Sequence, residues 1–139
     1  MGGIGLTLVI CVDDRGGMSF GGRRQSQDRV LRARVAALAK GHRLLMNAYS
    51  AKQFSDVEGI LCEEDFLSRA EAGDVCFQEL GEVSLDGVRR LILYRWNRHY
   101  PSDKKLLAEP EQCGFRKVGS AEFAGSSHEK ITEDIYERV

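Results

Sequence analysis

The apolar and polar positions of the first forty residues predict a buried strand followed by an amphipathic helix. Leu6–Val12 is a continuous apolar and β-branched run, which is typical of a strand covered on both faces. Leu31, Val35 and Leu38 then recur at helical spacing, and Gly41 follows as a helix stop. The chain therefore begins with a strand and a helix joined by a loop.

That loop, residues 13–25, is rich in glycine and carries Arg23 and Arg24 just ahead of the helix. Ser26 stands where an N-cap is expected, which puts Asp28 in the first helical turn. Because a helix N-terminus already favours anions, two arginines in front of it indicate an anion-binding site.

The rest of the chain alternates short strands and helices and then runs from strand to strand. This order predicts a mixed, mostly parallel sheet with helices on both faces and an antiparallel hairpin at the C-terminal end. No repeat or linker divides the chain, so residues 1–139 are expected to form one domain. The later strands are predicted at 43–48, 59–62, 74–80, 90–96, 115–118 and 131–136, and the later helices at 50–54 and 63–72.

The net charge of −1 conceals blocks of opposite sign. Residues 13–43 hold eight basic and three acidic side chains, residues 56–86 hold one and ten, and residues 89–105 hold six and one. These blocks are either scattered solvated faces or two basic stretches that converge on an anion. The near-neutral total does not favour nucleic acid as a partner, although a basic face leaves that possibility open.

The four cysteines lack paired spacing, and three of them lie within apolar runs. This predicts buried free thiols in a reducing cytoplasm, with neither a disulfide framework nor a metal site. The apolar N-terminal stretch is too short to span a bilayer and ends at two aspartates, so we expect no membrane association. Motifs of P-loop, nucleophile-elbow and common zinc enzymes are not found in the sequence. No sequence feature specifies an oligomeric state.

The order of elements resembles the dihydrofolate reductase family over nearly the whole chain. LTLVICVDDRGGMSFGG is similar to that family's first strand and mobile loop, and Asp28 in SQDRVLRARV takes the position of the substrate-binding carboxylate. RRLILYRWNRHYPSDKKL is similar to a later strand and loop, with Asp103 as a brace that accepts backbone N–H bonds from the glycine-rich loop. The ending, GFRKVGSAEF to DIYERV, resembles the closing hairpin. The resemblance implies a three-layer α/β/α fold.

The departures from the family concern its cofactor. Ala48 stands where an arginine of the MGR-x-T turn holds a phosphate of NADPH, and Glu82 follows Gly81 where the family has a second glycine. The segment 54–59 is too short for the strand beside the cofactor's adenosine, and the helix after Gly81 is shortened or lost. Arg24-Gln25 replaces the family's Pro-Trp. The resemblance therefore implies that the fold is retained while the usual NADPH-binding motifs are degraded.

The resemblance also implies that FGGRRQSQD, RWNRHYPSD and FAGSSHEK meet at one site. Asp28 is either a ligand-facing acid/base group there or a complement to the helix dipole. His99 and His128 are general-acid candidates or ordinary surface histidines. Trp96 and Tyr100 either stack on a ligand ring or belong to the core. The candidate ligand-binding residues are Arg23, Arg24, Gln25, Asn47, Tyr49, Ser50, Arg95, Arg98, His99 and His128.

Three functional hypotheses follow. The first is a protein that binds an anionic, heterocyclic or nucleotide-like small molecule through its arginines and does not carry out ordinary folate reduction. The second is an NADPH-dependent oxidoreductase of a pterin-like substrate, with the cofactor held in an altered way. The third is a nucleic-acid-binding or RNA-processing module that uses a basic face.

Overall fold

The computed structural model describes residues 5–106 and 109–139, which form ten strands and three α-helices. The strands are β1 (Leu6–Val12), β2 (Gly17–Phe20), β3 (Arg23–Arg24), β4 (Leu44–Met46), β5 (Ile60–Cys62), β6 (Val75–Gln78), β7 (Val88–Arg95), β8 (Lys104–Lys105), β9 (Phe115–Phe123) and β10 (Ile131–Arg138). The helices are α1 (Arg29–Leu38), α2 (Ala48–Ala51) and α3 (Phe66–Arg69), and 3-10 turns lie at Lys52–Phe54 and Pro110–Cys113.

Seven of these strands form the central sheet in the order β5-β4-β6-β1-β7-β10-β9. The pairs from β5 to β7 are parallel, whereas β10 runs antiparallel to both β7 and β9. The predicted fold class, a mixed and mostly parallel sheet that ends in an antiparallel hairpin, is confirmed. All five parallel strands end at one edge of the sheet, where α/β proteins usually hold their ligands.

Side chains of the sheet alternate between two buried clusters, one on each face. Leu8 and Ile10 of β1 belong to the cluster that includes Phe66 of α3. Val9 belongs to the opposite cluster, which contains the inner residues of α1 together with Tyr94 and Trp96. This period of two explains why β1 reads as a continuous apolar run: a strand buried on both faces has no polar side.

Helix α1 begins later than the sequence indicates. Asp28, not Ser26, is the N-cap: its backbone is extended (φ −154°, ψ 128°) and its side chain accepts hydrogen bonds from Val30 N and Leu31 N. The prediction that Asp28 lies in the first helical turn is therefore wrong. The predicted end is right, since Ala39 closes the helix and Gly41 follows with a φ of 84°.

The glycine-rich loop is more ordered than predicted, because β2 pairs with both β3 and β8 in a small second sheet. Gly17 is required there: a Cβ at this position would lie 2.6 Å from the Ser102 side chain and 2.7 Å from Gln25 Nε2. The loop after β1 is thereby held against the loop after β7.

Two further expectations fail locally, and two that concern the family's cofactor elements hold. The helix predicted at 63–72 is confined to α3, because Ala70 is already extended (φ −71°, ψ 145°). Cys62 and Cys113 are exposed and only Cys76 is fully buried, so the burial predicted for Cys62 is wrong. Residues 79–87 contain no helix and residues 55–59 no strand, as the short segments imply.

Among the described residues, no helix is long and apolar enough to cross a membrane.

Candidate ligand-binding site

The three loops that the resemblance groups together do meet at the carboxyl edge of the sheet. Gln25 Nε2 donates to Asp13 Oδ2 at 3.2 Å and to the Pro101 carbonyl at 3.3 Å, which ties the first loop to the second. Tyr100 Oη lies 2.9 Å from His128 Nε2, which ties the second loop to the third. Asp28 joins the third loop to helix α1. We call this group of contacts the loop junction.

Asp28 is the centre of the loop junction. Its carboxylate accepts four backbone N–H bonds, two from the start of α1 and two from the hairpin loop at Ser126 and Ser127, with distances of 2.8–3.2 Å. Burial alone would raise the pKa of Asp28, but these bonds and one from His128 outweigh it and hold the pKa far below its ordinary value. In this arrangement no lone pair of Asp28 is left to face a ligand.

Gly125 allows the hairpin loop to approach this carboxylate. A Cβ on Gly125 would lie 2.4 Å from Asp28 Oδ2 and 2.9 Å from the end of the Ile131 side chain. Only glycine lets the loop pass so close, and that approach brings Ser126 N and Ser127 N within hydrogen-bonding distance.

His128 is buried beside Asp28 and is not a surface histidine. Its ring stacks on Trp96 with 4.4 Å between centroids, and Nδ1 lies 3.2 Å from Asp28 Oδ2. Because a carboxylate only accepts, Nδ1 carries the proton, and in the neutral ring Nε2 accepts from Tyr100 Oη. Ser26 Oγ lies 3.3 Å from the same nitrogen. Trp96, 2 % exposed, is a core residue.

A second buried carboxylate, Glu79, lies at the same edge just after β6. Its donors are all side chains: Ser50 Oγ reaches Oε1 at 2.8 Å, while Arg24 Nε and Gln53 Nε2 each reach Oε2 at 2.8 Å. Arg24 also lies over the Tyr49 ring, with 4.3 Å from Cζ to the centroid. We call these five residues the Glu79 cluster. It brings together three predicted site residues, Arg24, Tyr49 and Ser50.

The positions of β6 and β10 in the sheet separate the Glu79 cluster from the loop junction. Glu79 follows β6 and His128 precedes β10, and these strands are three places apart in the sheet, or about 14 Å at ordinary strand spacing. The edge therefore carries two distinct polar centres, and the predicted residues divide between them.

The remaining predicted residues have simpler surroundings. Asn47 caps α2 by accepting from Ser50 N at 2.9 Å, and Asp103 accepts from Gly21 N at 3.0 Å, the contact that the resemblance implies for a loop brace. His99 is exposed, with Nδ1 3.9 Å from Asp13 Oδ2. Arg23 and Arg98 are exposed, and within the described part of the chain neither makes a side-chain hydrogen bond or ion pair; Arg98 lines a small cleft with Trp96 and Lys130.

Arg34 and Arg95 are each paired with a buried carboxylate of strand β10. Arg95 Nε donates to Asp134 at 2.7 Å, and Arg34 makes a two-bond contact with Glu133 at 2.9 and 3.0 Å. The buried Glu133 also accepts from Tyr94 Oη at 2.8 Å. Among the described ion pairs, three of the eight basic residues of block 13–43 and three of the six of block 89–105 bind carboxylates of the chain itself: Arg24, Arg34, Arg43, Arg90, Arg95 and Lys104. Nearly half of the positive charge of the two blocks therefore has an internal partner.

Sequence reasoning missed Glu79, Gln53 and Glu133. Glu79 was visible only as the polar end of a predicted strand within the acidic block, and its donors come from two other segments. No local signal connects these positions, because the sheet order brings them together.

Comparison with known proteins agrees with the fold. No family model matches the chain, and no curated protein matches it. Among solved structures it is similar to dihydrofolate reductase from Enterococcus faecalis, complexed with NADP(H) and RAB-propyl, with a TM-score of 0.66 and 12% sequence identity over 99% of each chain. The protein therefore has a diverged dihydrofolate-reductase-like fold.

The residues at the family's cofactor turn do not fit a dinucleotide phosphate. Ala48 N, at the start of α2, donates to the Glu64 carboxylate at 2.9 Å, so a negative charge of the chain already occupies that position. The adjoining cleft of about 330 Å³ contains three charged lining residues, Glu64, Asp65 and Glu82, and all are acidic. Phosphate groups would meet repulsion here.

Proposed function

We propose that this protein binds an anionic, heterocyclic or nucleotide-like small molecule at the carboxyl edge of its sheet, and that it does not carry out ordinary folate reduction. The observation that carries the proposal is the Glu79 cluster. It combines a buried carboxylate, an aromatic face from Tyr49 and a half-buried arginine at the edge where this fold class holds ligands.

Two features argue against the reductase alternative. Asp28, at the position that the resemblance assigns to the substrate carboxylate, is saturated by donors of the chain itself. The cofactor turn is acidic where NADPH needs positive charge. Nucleic-acid binding is also disfavoured, because Arg24, Arg34 and Arg95 are paired internally and are not presented on a basic face.

Arg24 is the main candidate for contact with the anionic group of the ligand. Its side chain is 19 % exposed, so it lies between the buried carboxylate and solvent. A guanidinium can hold a phosphate or carboxylate with two parallel hydrogen bonds. Arg23 and Arg98, which have no described side-chain partner, add positive charge to the same edge.

Calorimetric titration of the wild-type protein with adenosine and guanosine, each with and without a 5′-phosphate, tests the proposal. For at least one base we expect the phosphorylated compound to bind about tenfold tighter, a difference of about 1.4 kcal/mol. Arg24→Gln should remove this preference for the phosphorylated compound. Arg116→Ala, which replaces an exposed arginine on edge strand β9, should leave the preference unchanged. If no phosphorylated compound binds more tightly than its nucleoside, the proposal is wrong. Dihydrofolate and NADPH, titrated in parallel, test the reductase alternative.

A further inference from the structure

The guanidinium of Arg24 lies among two hydrogen-bond acceptors and an aromatic ring, which together could bind a planar cationic group of a ligand. Its Nε donates to Glu79 Oε2 at 2.8 Å and its Nη2 donates to the Tyr49 carbonyl at 3.1 Å. Its Cζ lies over the Tyr49 ring, 4.3 Å from the ring centroid. A carboxylate and a carbonyl thus accept two N–H groups from one flat cation, and an aromatic ring supports its face.

Glu79 makes this site selective for a cation. The side chain is 5 % exposed, and Ser50 and Gln53 supply its other two hydrogen bonds as neutral donors. A buried carboxylate with neutral donors still needs a positive partner close by, because an uncompensated buried charge is costly. Any group that replaces the guanidinium should therefore carry positive charge or take up a proton.

We propose that the Glu79 cluster is a binding site for a planar amidine-type edge, which Arg24 fills with its own guanidinium. The ligand group has two adjacent N–H donors on a delocalised cationic frame, as in amidinium and guanidinium groups. One N–H would bind Glu79, the other would bind the Tyr49 carbonyl, and the ring would stack on Tyr49. This inference deepens the proposed function and rests on it only for the anionic group.

Arg24 is able to give up this position. The hydrogen bonds and the cation–π contact of its side chain all involve the guanidinium. The residue lies on the two-residue strand β3, which is preceded by Gly21 and Gly22 with φ of 59° and 73°. The backbone is held separately by the bond from Arg24 N to Tyr49 Oη at 2.9 Å. Displacement of the guanidinium therefore requires only side-chain rotation. The released arginine would then be near an anionic group of the same ligand.

The test uses benzamidine, a flat amidinium without an anionic group, and full-length protein. Arg24→Ala empties the proposed site, so this variant should bind benzamidine at least tenfold tighter than wild type by calorimetry, and benzamidine should raise its melting temperature. Arg116→Ala removes an exposed arginine of edge strand β9, away from Glu79, and should behave like wild type. The double variant Arg24→Ala/Glu79→Gln should lose this gain in affinity for benzamidine.

Arg24→Met is the second variant if Arg24→Ala does not fold, because it removes the guanidinium and keeps an apolar side chain for packing. If the folded variant binds benzamidine no more tightly than wild type, Arg24 and Glu79 are only a structural ion pair and the inference is wrong. Failure of the nucleotide titration alongside tight benzamidine binding would remove the anionic ligand but leave the amidine site intact.

Discussion

Asp28 and Glu79 are two buried carboxylates at one edge of the same sheet, yet they are held in opposite ways. Asp28 accepts four backbone N–H groups, which cannot leave without unfolding α1 or the hairpin loop. Glu79 accepts only from side chains, which can rotate away. A carboxylate fixed by the backbone is a structural anchor, whereas one fixed by side chains can exchange its partners. The difference supports Glu79, and not Asp28, as the carboxylate of the proposed ligand site.

The largest expected effect compares neutral isosteres of the two carboxylates. Asp28→Asn places an amide NH₂ against fixed backbone donors and should lower the free energy of unfolding by about 3 kcal/mol. Glu79→Gln should cost about 1–2 kcal/mol, because the arginine left unpaired can rotate into water. Urea denaturation measures both. A greater loss from Glu79→Gln would reverse the assignment of anchor and exchangeable site.

A steric substitution probes the anchor without touching its charge. Gly125→Ala pushes a methyl group toward Asp28 and should cost roughly 1–3 kcal/mol in unfolding free energy. Gly119→Ala is the matched control, since neither glycine has positive φ and a Cβ on Gly119 makes only ordinary contacts at 3.8 Å. Equal effects from the two substitutions would show that the close approach at Asp28 is not what requires glycine.

The dependence of stability on pH in the acid range isolates the contribution of Asp28. The folded pKa of Asp28 lies below its unfolded value, so its contribution is present above about pH 4 and is lost as the pH falls toward the folded value. Asp28→Asn has no such group, and its stability should decline less steeply than that of wild type below pH 4. Denaturation midpoints measured from pH 2 to 6 check this. Parallel curves would mean that Asp28 titrates alike in both states.

The smallest effect concerns Cys11, a half-buried thiol near the Glu79 cluster. Burial and then the charge of Glu79 raise its pKa, while Arg24 lowers it. Glu79→Gln should therefore lower the pKa of Cys11 and speed the alkylation of this thiol by a few fold at pH 8. Mass spectrometry measures the rate of alkylation. Cys76, whose pKa burial and Asp74 raise to about 12, is the internal control. Equal acceleration of both thiols would mean that the variant loosens the core.

The sequence predicted the sheet better than the site. Leu6–Val12 was recognisable because a strand buried on both faces has a continuous apolar pattern, and Gly41 marked the end of α1. Ser26 and Asp28 are both good helix caps, and the choice between them depends on a hairpin loop about a hundred residues away. The partners of Glu79 are likewise fixed by the order of β1, β4 and β6 in the sheet, which local pattern does not encode.

The most direct test of this contrast follows both carboxylates at once. In a benzamidine titration of isotopically labelled Arg24→Ala protein, the side-chain carboxyl carbon signals of Asp28 and Glu79 can be read by NMR. We expect the Glu79 signal to move and to saturate with the binding curve while the Asp28 signal stays in place. Movement of the Asp28 signal with the Glu79 signal unchanged, or no movement of either signal, would contradict the assignment of Glu79 as the exchangeable carboxylate.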